Sequence, residues 1–120
     1  MSEMDKLILY QKMYDLIRYS FPIISRFPKS QKFVLGQQIQ NCMLGISGLI
    51  VHANKLKNKR MKLYEIDIEL EKLRLLIRLS KDLGFMNTRK YGYNVTSTLR
   101  NFNRTLRNLF LKMMNHTYFA

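Results

Sequence analysis

The stretch RKYGYNVTSTLRNFNRTLRNLFLK, residues 89–112, decides how the chain folds. Apolar residues recur at Tyr91, Val95, Leu99, Phe102, Leu106, Leu109 and, just beyond it, Met113. Steps of three and four lay one apolar stripe along a helix of about 3.6 residues per turn. With Phe102 at the centre of that stripe, Arg89, Arg100, Arg104 and Arg107 fall on the opposite side, beside Tyr93, and Lys112 lies to one side. From Leu83 to the C-terminus there is no Asp or Glu, so this row lacks the i,i+4 carboxylates that usually soften an exposed cationic face. Its field must be met by solvent ions or by an anionic partner.

The whole chain tips the balance toward the partner. Its 120 residues carry 21 Lys and Arg against 8 Asp and Glu, a formal charge of +13. The acids are clustered: Glu3, Asp5 and Asp15 at the start, then Glu65, Asp67, Glu69, Glu71 and Asp82. Leu16–Tyr64 holds nine basic residues and no acid. Such a surface repels its own copies and attracts polyanions, with binding that weakens steeply as salt rises. The 47% apolar content excludes disorder, and two prolines and five glycines exclude a turn-rich β architecture.

The same periodicity predicts a single domain over 1–120 with four helices, at about 5–24, 29–57, 63–83 and 88–115. The first has a stripe at Leu7, Tyr10, Tyr14, Ile17, Phe21 and Ile24, with Pro22 expected to kink or end it near Tyr19–Phe21. Pro28 suits the opening turn of the second, with Ser30 near enough to satisfy free amides. That helix buries Leu35, Ile39, Cys42, Ile46, Leu49, Ile50 and Ala53. Gly36 and Gly45 on its flanks imply close approach of a neighbouring helix. KLKNKRMK, residues 55–62, reads as a basic turn in which Asn58 terminates helix two and Lys59 and Arg60 belong to a mobile cationic patch. The third helix buries Leu63, Ile66, Leu70, Leu73, Ile77 and Ser80, and Glu65, Asp67, Glu69 and Glu71 in its first half precede Arg74, Arg78 and Lys81, in the order that suits the helix dipole. Gly84 is placed to cap it in the left-handed conformation. The final HTYFA is expected to fray. Four such rods joined by short turns make an all-α, up-down-up-down four-helix bundle.

Catalytic chemistry is hard to find. His52 and His116 lie on different helices, neither at i,i+3 or i,i+4 from a second ligand type, and there is no glycine-rich phosphate loop. The lone Cys42 gives no disulfide and no zinc cluster and reads as a buried inert thiol. No enzyme, cofactor or metal is expected. The longest apolar run, Cys42–Val51, is too short to span a bilayer, so a cytoplasmic location without membrane contact follows. The candidate nucleic-acid-binding residues are Arg89, Arg100, Arg104, Arg107 and Lys112 on helix four, Arg74, Arg78 and Lys81 on helix three, and Lys59 and Arg60 in the basic turn. Tyr93 is positioned to stack on an unpaired base. Intrahelical pairing of Arg74 with Glu71 and of Arg78 with Asp82 competes with that role.

Two segments together resemble a known family. FPKSQKFVLGQQIQN (27–41) followed by LEKLRLLIRLSKDLGFMNTRKY (70–91) is similar to the accessory variability determinant (Avd) proteins of diversity-generating retroelements, and LYQKMYDLIRY (9–19) fits the same pattern. The resemblance covers about residues 7–95. It implies a four-helix bundle assembling into a basic, ring-like homopentamer. It also implies binding to the retroelement's reverse transcriptase and template RNA, in support of mutagenic copying and without catalysis by this chain. Pro28, Gly36, Leu73, Arg74, Arg78, Asp82 and Leu83 match the family's recurring residues. The close of helix four, NFNRTLRNLFLKMM, differs from the family's usual ending and has no tryptophan. Two other readings fit the residues: a basic helical adaptor for an acidic protein, and a sister four-helix protein associated with ribosomal RNA insertions.

Overall fold

A computed structural model describes the backbone over residues 3–86 and 93–119, and side chains over 8–86 and 95–112. The described residues are all-α. Helix α1 spans Glu3–Ile24, α2 Lys29–Lys55, α3 Arg60–Asp82 and α4 Tyr93–Phe119. The first turns of α2 include a π-helical segment, Lys32–Gly36. Packing runs α1 on α2, α2 on α3, α3 on α4 and α4 back on α1, so the four rods form a closed up-down-up-down bundle of 52 × 23 × 20 Å.

The stripes of α3 and α4 pack as their spacing predicts. Leu63, Ile66, Leu70, Leu73, Ile77 and Ser80 are buried, and so are Val95, Leu99, Phe102, Leu106 and Leu109. On α2 the buried line is Leu35, Ile39, Cys42, Met43, Ile46, Ile50 and Ala53, with Leu49 half-buried. This helix is long and apolar enough to cross a membrane by length and composition, with a mean hydropathy of 1.2. Its apolar face is nevertheless the core of the bundle.

Helix α1 departs from expectation. Its buried line is Leu9, Met13, Leu16, Ser20, Ile23 and Ile24, whereas Tyr10 and Tyr14 are 46% and 50% exposed. The first half of α1 carries two neighbouring apolar lines, Leu9–Met13–Leu16 and Tyr10–Tyr14–Ile17, which compete for the core. Burying the aliphatic one leaves the tyrosine hydroxyls in water, where their hydrogen bonds need no protein partner. Pro22 also does not end the helix near Tyr19–Phe21, and α1 runs on to Ile24. The proline sits one turn from the end, where it removes a single bond of the ladder, and Ser25 closes the turn by donating from N to Phe21 O at 3.0 Å and from Oγ to Pro22 O at 2.5 Å.

The glycines divide. A Cβ on Gly36 would lie 2.8 Å from Cγ2 of Ile24, so α1 does approach closely there. A Cβ on Gly45 would meet nothing within 4 Å beyond its own helix, and the neighbouring helix gives no reason for that glycine. Ser30 makes no cap bond, and Pro28 occupies the N-cap position of α2. Gly84 caps α3 at φ 81°, as its position implies. Helix α4 continues past the expected fraying point to Phe119. Its expected start near residue 88 lies outside the described residues.

Candidate nucleic-acid interface

Helices α3 and α4 are neighbours in the bundle. Between them lies an open groove of about 320 Å³, lined by Arg74, Ile77, Arg78 and Lys81 from α3 and by Thr96, Leu99 and Arg100 from α4. Two sets of cations that stand well apart in the sequence thus meet in one place. The antiparallel course of the helices does this: the C-terminal half of α3 lies beside the N-terminal half of α4.

Its chemistry follows from those residues. Ile77 and Leu99 belong to the core and form an apolar floor. The Lys81 ammonium donates to Thr96 Oγ1 and ties the helices together across the groove. Burial lowers the pKa of Lys81, and the adjacent Arg100 lowers it further. Cations crowded in this way are stabilised by an anion seated among them, because it relieves their mutual repulsion and restores the lost solvation.

The carboxylates of α3 offset part of this charge. Glu71 bonds Arg74 at 2.6 Å, and Asp82 lies 3.9 Å from Arg78. Both pairs are local to the helix and open to water, with Arg78 and Asp82 83% and 69% exposed, so each is weak enough for a phosphate to compete. On α4, Arg100, Arg104 and Arg107 are exposed on one face, and among the described residues no carboxylate pairs with them. They extend the groove's charge along the outside of the helix.

The other expected positions fall elsewhere. The Tyr64 and Phe110 rings, 5.1 Å apart, place the start of α3 beside the later part of α4. Arg60, which is exposed, therefore lies at the far end of the bundle. Lys112 lines a shallow depression with Ile8, Thr105, Asn108, Leu109 and Leu111, on the α1 side of α4. Arg89 and the Tyr93 side chain lie outside the described residues.

Lys59 is a correction. It is only 7% exposed, and its ammonium donates to Ala53 O at 2.9 Å and to Leu56 O. It folds back to satisfy carbonyls at the C-terminus of α2, where the helix dipole favours a cation, and so leaves the mobile basic patch. Asn58 is likewise recast: its Oδ1 accepts from Arg60 N at 3.2 Å, at the start of α3 and not the end of α2. Lys62 pairs with Glu65 at 3.0 Å.

Thr96, Ile77 and Leu99 join the site without any signal in the sequence, since Ile77 and Leu99 belong to the core stripes. Cys42 is buried as expected. Its thiol is pushed up to about 11 by burial and by Glu69, and at 3.3 Å it donates to Glu69 O.

A family model described as bAvd-like matches residues 7–113, and no curated protein matches the chain. That span takes in the groove and reaches from α1 to the later turns of α4. The chain belongs to the bAvd-like family.

Proposed function

We propose that this protein is a non-enzymatic, RNA-binding accessory subunit of a retroelement reverse transcriptase. It holds template RNA close to the polymerase during mutagenic cDNA synthesis and works as a cytoplasmic homo-oligomer, a pentameric ring by its family resemblance. The observation that carries the reading is the convergence of Arg74, Arg78, Lys81 and Arg100 on one groove, continued along α4 by Arg104 and Arg107. Membership of the bAvd-like family supports the retroelement context. Self-assembly is supported by the outer ridge of α3, where Met61, Tyr64, Ile68, Leu75 and Leu79 are 42–69% exposed along one line of the helix.

The test replaces Arg100, Arg104 and Arg107 together by glutamate, with the fold checked by circular dichroism. These side chains are exposed, so the helix content should hold. RNA affinity should fall by about two orders of magnitude or more, because attractive contacts become repulsive, and the dependence on salt should flatten. Retained affinity with an unchanged salt slope would remove the α3–α4 face from the function.

A further inference from the structure

The turn from α1 into α2 presents a second surface that the groove does not include. Phe33 is 67% exposed, the most exposed aromatic among the described residues, and Val34 beside it is 61% exposed. Both belong to the π-helical segment Lys32–Gly36, whose wide turn sends Leu35 and Gly36 inward against the core. Gly36 can pack under Ile24 only because it lacks a Cβ. The next two residues in the chain after Lys32 are thereby left facing water. Short π-helical turns are uncommon and concentrate at functional positions.

The surroundings of Phe33 are cationic and amidic. Lys32 precedes it and Lys29 lies one turn back, both exposed. No acid occurs anywhere in Leu16–Tyr64 to neutralise them. Gln37 and Gln38, one turn further on, are exposed as well. The Phe27 and Phe85 rings lie 6.0 Å apart, which brings the α1–α2 and α3–α4 turns to the same end of the bundle. Lys81 and Thr96 mark the mouth of the basic groove at that end. Phe33, a few residues after Phe27, therefore lies toward the same end of the bundle as that mouth.

We infer that Phe33 is a stacking platform for an unpaired nucleobase, with Lys29 and Lys32 taking the adjoining phosphates and Gln37 or Gln38 meeting the base edge. The inference rests on the RNA-binding reading and narrows its ligand to single-stranded segments. An aromatic face flanked by cations is the pairing of groups that single strands use, since every base offers a π face and every linkage a charge. A duplex keeps its bases stacked on one another and leaves Phe33 unused. A lipid surface fits less well, because membrane binding needs a broad apolar face, and here Phe33 and Val34 give way at once to glutamines and Asn41.

The chain contains no tryptophan, so Phe33→Trp creates a single reporter at the site. A single-stranded oligouridylate should quench its fluorescence, and a perfectly paired RNA hairpin of the same length should not. Phe33→Leu keeps an apolar side chain but removes the ring. It should lower affinity for the single strand roughly 10-fold, as expected for loss of one stacked base, and leave hairpin binding unchanged. If Phe33→Leu binds both RNAs like the unaltered protein, or the tryptophan stays unquenched at saturating single strand, the platform is refuted while RNA binding stands. If phosphatidylserine vesicles shift the tryptophan emission to shorter wavelength and RNA does not change it, the surface is a lipid contact and the inference fails. If the unaltered protein binds neither RNA, the proposed function falls and the inference with it.

Discussion

Replacing Lys59 tests whether its ammonium caps α2 or stands ready for phosphate. By sequence it is one of a run of turn cations available to phosphate. In the folded protein it is buried and bonded to two carbonyls at the end of α2. Replacing it with methionine keeps the length and apolarity of the stem and removes only the ammonium. Charge-assisted hydrogen bonds contribute roughly 1.5–3 kcal/mol each, but removing the charge also removes its desolvation penalty, so the net loss should be about 2 kcal/mol. At roughly 4 °C per kcal/mol for a domain of this size, Lys59→Met should lower Tm by about 8 °C. Arg60→Gln, at the exposed neighbouring position, should leave Tm within about 2 °C. The two variants should also differ in RNA binding. A lost phosphate contact flattens the slope of log affinity against log salt by about 0.7 for a single strand, and Lys59→Met should show no such change when measured well below its Tm. A Tm that does not move, together with a flatter slope, would show that Lys59 swings out to meet the ligand and that the capping argument is wrong.

Further outcomes follow from other positions. Gly36→Ala should destabilise the bundle by about 1–3 kcal/mol in chemical denaturation, because the new methyl must displace Ile24. Gly45→Ala, on an open face, should instead stabilise it by up to about 1 kcal/mol through helix propensity. The Cys42 thiol, raised from 9.0 to about 11, should resist alkylation in the native protein at pH 8 and react only on unfolding. Because the unfolded thiol gives up its proton first, its contribution to stability is present below pH 9.0 and declines between there and about 11. Lys81 has the opposite sign: its folded pKa lies below the ordinary 10.5, so the unfolded chain holds more protons and its contribution to stability rises with pH as the folded group titrates toward 10.5. Arg100→Gln should move the Lys81 titration upward, followed by NMR at its side-chain carbon next to the ammonium. An unmoved titration would separate the two cations.

What the sequence could reveal follows from how many answers its pattern allowed. Helices α3 and α4 each offer a single apolar stripe with charges opposite it, so only one face could be buried, and that face is the one found inside. The first half of α1 offers two, Leu9–Met13–Leu16 and Tyr10–Tyr14–Ile17. Periodicity cannot choose between them, but the unmet hydroxyls of a buried tyrosine line can. Lys59 is hidden in a basic run that looks uniform, although this one member lies within reach of the carbonyl end of the preceding helix. The groove was illegible for a different reason. Arg74 and Arg78 have local acids to pair with, Lys81 shares their helix, and Arg100 belongs by sequence to a separate row. Only the antiparallel register of α3 and α4, set by core residues such as Ile77 and Leu99, makes them one site. The same apolar contacts that fix the bundle therefore also fix which cations share an anion. A substitution in that floor, such as Leu99→Ala, should weaken RNA binding without removing any charge, because it loosens the spacing between two helices whose cations act together.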